Sequence, residues 1–139
     1  MRLNHDCIRD VMLAVENDLQ FTRVSILRLA DETDNFLREN DLPKYKSEDL
    51  LYTTSKLIEA GYLNGVLSET DQLGIENVYI DSITWEGHNF LDTVRDPKIW
   101  KATKKIVSHL ESVSITILSK VGTGVLNHVI DKYMPTNLS

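Results

Sequence analysis

The apolar positions near the start of the chain recur with a helical period. Four of them are spaced i, i+3, i+4 and i+7: Ile8, Val11, Met12 and Val15. This spacing predicts an amphipathic helix that Asn4 caps and that ends near Asn17. Farther along, the β-branched and apolar run 21–29 predicts a short strand. A second short helix is expected over 34–40, after an N-cap at Thr33 and before the proline that follows.

Residues 47–60 predict a third helix with well-marked ends. Ser47 is a good N-cap, and the next two residues bring negative charge to the first turn. Gly61 can take the left-handed conformation that ends a helix. The inward face is formed by Leu50, Thr54, Leu57 and Ile58. The polar face, which we expect to be exposed, carries Glu48, Tyr52, Ser55, Lys56 and Glu59.

Two strands are predicted next, over 62–67 and 77–83, joined by a loop, 68–76, that is long enough to be a wing. Thr84 is expected to cap a further helix. The inward residues of that helix are Gly87, Phe90, Leu91 and Val94. The order helix, short helix, helix, hairpin, helix is that of a winged helix.

Asp96-Pro97 is the sharpest joint in the sequence, because it combines an N-cap with proline at the first helical position. The helix that begins there is expected to turn six residues inward: Ile99, Thr103, Ile106 and Leu110, with Trp100 and Val107 beside them. A break near 111–114 precedes a last helix that runs to about Tyr133. The predicted fold class is mainly α with a small β-hairpin. It divides into a winged helix-turn-helix domain, 1–96, and a C-terminal helical extension for packing or oligomerisation, 97–139.

Charge is unevenly distributed along the chain. Residues 1–97 hold 19 acidic and 9 basic residues, a net charge of −10, whereas 98–139 hold 2 acidic and 6 basic residues, a net charge of +4. The basic cluster consists of Lys98, Lys101, Lys104 and Lys105. A duplex-binding surface needs clustered cations that release counterions from the phosphates, so the acidic part disfavours strong non-specific DNA binding.

Motifs for catalysis or cofactor binding are missing from the sequence. The single cysteine, Cys7, excludes an internal disulfide, and the four histidines lie at no metal-ligand spacing. No phosphate-binding glycine loop or nucleophile elbow occurs. We therefore expect neither an enzyme nor a bound metal or cofactor. The N-terminus has no signal region and no run of about 18 uncharged apolar residues occurs, so we expect a cytoplasmic protein without a membrane partner.

Two sets of candidate contact residues emerge. Those for nucleic acid lie on or just before the third helix: Lys44, Tyr45, Lys46, Tyr52, Thr53, Ser55 and Lys56. Those for self-association lie on the last helix: Ile117, Leu118, Val121, Val125 and Leu126. Against DNA binding, the predicted wing carries Glu69, Asp71 and Glu76 and no lysine or arginine.

Three groups of residues carry a family resemblance. They are Met1-Arg-Leu-Asn with Arg9-Asp10, then Tyr52 with 57–63 (LIEAGYL), and lastly 83–100 (ITWEGHNFLDTVRDPKIW). In these the chain resembles, over nearly its full length, a bacterial and phage family known as domain of unknown function 2513. The resemblance implies a winged-helix-like core and a frequent location in prophages, with no established activity or catalytic residue. The family pattern is expected to place His after the tyrosine where this chain has Thr53, so a contact through that His is not carried over.

Two hypotheses of different class result. The first is a small cytoplasmic DNA-binding or transcription-regulatory protein of bacterial or prophage origin, which binds double-stranded DNA as a dimer formed by the helices after Asp96. The alternative is a protein–protein interaction module, such as a phage-encoded modulator of a host protein, that presents its acidic wing and does not bind DNA.

Overall fold

A computed structural model describes residues 3–19, 22–31, 40–71 and 74–134 of the chain. The helices are α1 (His5–Asp18), α2 (Ile26–Leu29), α3 (Ser47–Glu59), α4 (Trp85–Val94), α5 (Pro97–Val107) and α6 (Ile115–Tyr133), with a 3-10 turn at Leu42–Lys44. The strands are β1 (Val24–Ser25), β2 (Leu63–Thr70) and β3 (Gly74–Ile83). The chain divides into two compact units, Met1–Leu91 (unit 1) and Asp92–Ser139 (unit 2), with the boundary inside α4. The mainly α fold class with a small β-sheet is confirmed.

The first helix forms where it was predicted, whereas the strand predicted after it forms over only part of its described length. Asn4 caps α1 by accepting the Cys7 N–H at 3.2 Å. Within the described part of the predicted strand, 22–29, only Val24 and Ser25 form a strand, because Ser25 accepts the Arg28 N–H and so starts the helical turn α2. That turn buries residues 26 and 29 completely, and this packing outweighs their β-propensity. The helix predicted over 34–40 lies almost entirely outside the described residues; Asn40, which is described, is not helical.

Helix α3 begins one residue before its expected first turn and ends as predicted. Lys46, not Ser47, is the N-cap residue, and its side chain makes no capping bond. Its extended backbone directs its carbonyl to the N–H groups of residues 49 and 50. At the other end Gly61 has φ +85°, its N–H donates to the Ile58 carbonyl, and the Tyr62 N–H donates to the Leu57 carbonyl. This pair of bonds is a Schellman ending, which confirms the role predicted for the glycine.

The sheet has three antiparallel strands in the order β1-β3-β2. Strands β2 and β3 form a longer ribbon than predicted, because most of the expected loop 68–76 is paired. The added pairs are Ser68–Asn77, Glu69–Ile75 and Thr70–Gly74. Gly74, the first residue of β3, has φ +73°, a conformation that glycine adopts readily. The prediction that 68–76 is a loop was therefore wrong, since most of it is paired and Glu69 and Glu76 lie on the strands of a β-ribbon.

A cluster of backbone contacts joins the end of α3 to the start of α4 within unit 1. The Thr84 hydroxyl donates to the Gly61 carbonyl at 2.5 Å and accepts the Gly87 N–H at 3.0 Å. The Thr84 N–H donates to the Tyr62 carbonyl at 3.1 Å. A Cβ on Gly87 would overlap that same Tyr62 carbonyl oxygen. Thr84 therefore caps α4 as predicted, and the two segments belong to one unit bridged by the ribbon.

The core of unit 1 draws on every one of its described elements except the two-residue strand β1. Its fully buried side chains include Ile8, Val11, Met12 and Val15 of α1, Ile26 and Leu29 of α2, Leu42 of the 3-10 turn, Leu50 and Leu57 of α3, Leu63 of β2, Val78 and Ile80 of β3, and Phe90 and Leu91 of α4. The rings of Tyr62 and Phe90 stack with their centroids 5.2 Å apart. The inward residues predicted for α4 are confirmed.

Unit 2 contains α5 and α6, which contact each other. Asp96 caps α5 through the Lys98 and Ile99 N–H groups, and Ser114 caps α6, which confirms the predicted break. Two residues expected to face inward, Ile106 and Leu110, are about half exposed. The buried stripe is instead Ile99, Trp100, Thr103 and Val107. The Thr103 hydroxyl can lie in this buried stripe because it donates a hydrogen bond to the Ile99 carbonyl of the same helix.

The division predicted at Asp96-Pro97 marks the start of α5, and as a domain boundary it stays a prediction. Among the helices of the described residues, none combines the length and hydropathy needed to cross a bilayer.

We expect Gly87→Ala to lower the free energy of unfolding by about 1–3 kcal/mol, because its Cβ would overlap backbone at the α3–α4 junction. The matched control is Gly124→Ala, since Gly124 also lies inside a helix and no atom would contact its added Cβ. That control should gain about 0.5–1 kcal/mol from helix propensity. Urea unfolding followed by circular dichroism measures both. Equal effects of the two substitutions would contradict the close approach.

Candidate functional site

A buried carboxylate on α1 anchors the approach to α3. Asp10 is nearly buried and accepts the Tyr45 hydroxyl at 2.6 Å on Oδ2. The same oxygen lies 3.1 Å from Lys44 Nζ. Because a buried carboxylate needs both hydrogen bonds and an opposite charge, this contact satisfies Asp10 and fixes the 3-10 turn against α1.

Two of the predicted nucleic-acid residues therefore have structural partners. The hydrogen bond from Lys44 to Asp10 raises the pKa of that ammonium group. Burial, and next the bond to Asp10, raises the pKa of Tyr45 well above its ordinary value, so its phenol stays protonated as a donor. The Lys44 ammonium is paired with Asp10, so this carboxylate competes with a phosphate for it.

Two more predicted contact residues lie inside the unit. Thr53 and Ser55 are only 2% and 9% exposed. Ser55 donates to the Tyr52 carbonyl at 2.7 Å, and Thr53 is hydrogen-bonded to the Cys7 thiol, whose pKa burial raises to about 11. The expectation that Thr53 and Ser55 are accessible for contacts with nucleic acid was wrong. Helix α3 is packed by α1, α2, β2 and β3, and a helix with four neighbours buries more than one stripe.

The remaining candidates on and before α3 are at least partly exposed. Lys46 is exposed, while Tyr52 and Lys56 are half-buried. Lys56 lies 2.9 Å from Glu59 and has its ammonium 5.6 Å from the centre of the Tyr52 ring. Since Glu48 is exposed on the same helix, the accessible part of α3 offers little net positive charge. Contact with nucleic acid through these residues stays a prediction.

The ribbon carries charge of one sign only. From Leu63 to Ile83 the sequence holds four carboxylates and no lysine or arginine. Glu69, Asp71 and Glu76 are exposed near its tip. At its base Asp81 is bonded at 2.7 and 3.1 Å by Arg23, which holds the pKa of that carboxyl below its ordinary value. The tip of the ribbon therefore carries the acidic surface, and we name Glu69, Asp71 and Glu76 the acidic tip.

The candidates for self-association differ in exposure. Leu118 is fully buried and is part of unit 2 rather than of a free surface. Ile117 is 40% exposed, and Val121, Val125 and Leu126 are half-buried. Beyond Gly122 every residue of α6 is at least partly exposed. A self-association surface on this helix must therefore exclude Leu118.

Two residues of note were not predicted from the sequence: Asp10, which anchors the approach to α3, and Trp85, which is exposed on α4. Asp10 lies at i+3 from Cys7 and at i−4 from Ala14, both of which are buried, and a carboxylate on a buried stripe signals a specific partner. Trp85 is 76% exposed at the first position of α4.

The structure thus defines a mainly α protein with a small three-stranded sheet, an internally anchored third helix and an acidic ribbon. The family model described as "Hypothetical protein (DUF2513)" matches residues 2–114, so the chain belongs to this family. An uncharacterised protein of Haemophilus influenzae is 21% identical over 131 residues, which cover 94% of this chain and 99% of that protein. No solved structure matches the chain. The resemblance to DUF2513 is confirmed.

We expect Tyr45→Phe to lower the free energy of unfolding at pH 7 by about 1–3 kcal/mol, because Asp10 loses a hydrogen-bond donor while it stays buried. The folded-state pKa of Tyr45 lies above the unfolded value of about 10. The wild-type stability from this group is therefore present below about pH 10 and is lost as the pH rises further. The deficit of the variant should shrink over the same range.

Urea unfolding of wild type and variant at several pH values from 7 to about 11 measures this deficit. The control is Tyr133→Phe, because Tyr133 is 81% exposed in unit 2, and it should have little effect at pH 7. A Tyr45→Phe deficit that is constant with pH would contradict the assigned role of the phenol.

Proposed function

We propose that the chain is a small, non-catalytic regulatory protein that uses a winged-helix scaffold to bind another protein through its acidic tip. The single observation that carries this proposal is the charge of the ribbon, which holds its exposed carboxylates without a lysine or arginine on either strand. A partner with a basic surface is the complement of such a patch, since opposite potentials steer association and exclude like-charged surfaces.

The order of elements supports the winged-helix scaffold. Helix α1 is followed by the short β1, the helical turn α2, helix α3, and then the ribbon formed by β2 and β3. The short strand pairs with β3 and places it at the centre of the sheet. In winged-helix proteins the helix before the ribbon is the one that enters a groove of DNA. Fold likeness alone assigns no function, so the charges decide between partners.

DNA binding is the second candidate, and the position of α3 directly before the ribbon favours it. Lys46, Tyr52 and Lys56 are the predicted contacts that remain at least partly exposed. Three side chains, one of which is paired with Glu59, supply few phosphate contacts. The acidic tip would also lie where a wing approaches the DNA backbone, and it would repel the phosphates. The charges therefore favour a protein over DNA.

Charge reversal of the acidic tip tests the proposal. The purified chain, tagged and exposed to an extract of its host, should retain a partner that the variant Glu69→Lys/Asp71→Lys/Glu76→Lys loses. The matched control is Asp41→Lys/Glu111→Lys/Asp131→Lys, which changes the net charge equally at three other exposed carboxylates. Retention should survive in the control.

Equal retention by wild type and the tip variant would overturn the role of the acidic tip. A second arm titrates the wild type into labelled duplex DNA from its own locus at about 50 and 200 mM salt. Binding that weakens steeply over this interval would instead support the DNA candidate, because phosphate contacts release counterions.

We further propose that the chain forms a dimer through α6. The helix has 19 residues, and along its second half the apolar Leu126, Ile130 and Tyr133 follow the spacing i, i+4, i+7. All three are at least partly exposed. A second copy of the same helix is a suitable partner, because α6 carries only Lys120, Asp131 and Lys132 as charged groups and two copies repel each other weakly.

We expect light scattering at about 100 μM to give the mass of a dimer for the wild type and of a monomer for Leu126→Glu/Ile130→Glu, because burying two carboxylates in the interface is costly. Lys120→Gln/Lys132→Gln is the control, since it changes two exposed positions of the same helix and leaves its net charge at −1, and it should remain dimeric. A monomeric wild type would refute the proposal.

A further inference from the structure

The lysines of α5 form a basic face on unit 2. Lys98, Lys101 and Lys105 are all exposed, and the helix contains no carboxylate. Their spacing of i, i+3 and i+7 places them along one side of the helix, over roughly 10 Å of its axis. We name these three residues the basic face.

The ammonium groups of the basic face have no ion-pair partner among the described residues. Asp96 precedes them in the sequence, but it caps α5 by accepting the N–H groups of Lys98 and Ile99. Lys98 also lies in the first turn of the helix, where the helix dipole disfavours a cation. An anionic surface placed against this face would therefore relieve repulsion that the helix does not relieve itself.

The acidic tip of unit 1 matches the basic face in charge and in size. Its three carboxylates are exposed and, within the part of the chain that the structure describes, form no ion pair. Glu69 pairs with Ile75, so Glu76 is close to it on the neighbouring strand, which is about 5 Å away. Asp71 lies two residues beyond Glu69, or about 7 Å along extended chain. The tip is therefore about as long as the basic face.

We propose that the basic face of α5 binds the acidic tip of a second copy of the chain. Charge complementarity carries this inference, because one surface holds three cations without an anion, the other holds three anions without a cation, and every copy has both. A two-fold axis lets each tip meet the basic face of the other copy, which closes the assembly as a dimer. Exposed ion pairs are individually weak, so the dimer depends on forming both contacts together.

The inference rests on the proposed function in one respect: the acidic tip is a protein-binding surface, and the second copy is named as a partner for it. The two proposals fail separately. If the tip binds only a host protein, its charge reversal abolishes retention from the extract and leaves self-association unchanged. If the tip binds only a second copy, its charge reversal weakens self-association and leaves retention unchanged.

The test is a charge swap, with the dimer dissociation constant measured by analytical ultracentrifugation at about 50 mM salt, where screening is weak. The tip variant Glu69→Lys/Asp71→Lys/Glu76→Lys and the helix variant Lys98→Glu/Lys101→Glu/Lys105→Glu should each weaken self-association about tenfold. An equimolar mixture of the two variants should recover an affinity within about threefold of the wild type, because opposite charges face each other again. A chain that carries all six changes should recover likewise. Recovery in the mixture also shows that both variants are folded.

Net charge alone predicts the opposite result for the tip variant. Each substitution adds two positive charges, so three of them raise the net charge from −6 to 0 and lessen general repulsion between copies. The matched control Asp41→Lys/Glu86→Lys/Glu111→Lys makes the same change at exposed carboxylates outside the ribbon and α6. It should self-associate at least as tightly as the wild type. Since α6 is identical in the tip and helix variants, the contact proposed for that helix does not produce the swap pattern.

Four results would overturn the proposal. The first is a wild type that stays monomeric up to about 500 μM, a concentration at which a useful contact is populated. The second is a tip variant that self-associates as tightly as the wild type. The third is a mixture of the two variants that recovers no affinity. The fourth is a helix variant that loses binding to a labelled DNA duplex but keeps its self-association, which would assign the basic face to phosphates.

Discussion

The architecture of unit 1 depends on the contact between the Schellman ending of α3 and the threonine cap of α4. Thr84 donates to one residue of that ending and receives its own capping bond from Gly87, so one hydroxyl satisfies groups on both helices. Backbone groups that would be orphaned at two helix ends are thereby paired with each other. Because the ribbon begins after Tyr62 and returns just before Thr84, this contact closes it at its base. The tip is then free to carry charge without contributing to the core.

Features set by a few neighbouring residues could be predicted from the sequence. The caps at Asn4, Thr84 and Asp96, and the glycine ending at Gly61, each require only one residue and the backbone next to it. The extent of the ribbon could not be predicted in this way, because pairing of residues 68–70 with 74–77 depends on cross-strand contacts that continue past the turn signals. The strand expected over 21–29 was lost for a related reason. A local cap at Ser25 and two core contacts outweighed β-propensity there.

The candidate site was harder to predict than the fold, since a helical wheel gives the direction of a side chain and not the number of its neighbours. Thr53 and Ser55 are polar and lie beside the apolar stripe, but four surrounding elements enclose them. Lys44 and Tyr45 were recognised as a cation and an aromatic donor, which are the groups that bind phosphate. Their partner Asp10 lies 34 and 35 residues away in the sequence. A long-range internal carboxylate competes with an external phosphate for the same groups, and only the fold reveals it.

The charge of the acidic tip has a specific physical consequence for a basic partner. Exposed carboxylates on a ribbon act over roughly the Debye length, about 8–10 Å at physiological salt, so they steer an encounter and raise its rate more than they stabilise the final complex. Mutations at the tip should therefore change the association rate and its salt dependence more than the dissociation rate. Stopped-flow measurements on one partner would separate the two rate constants, because steering acts before the complex forms.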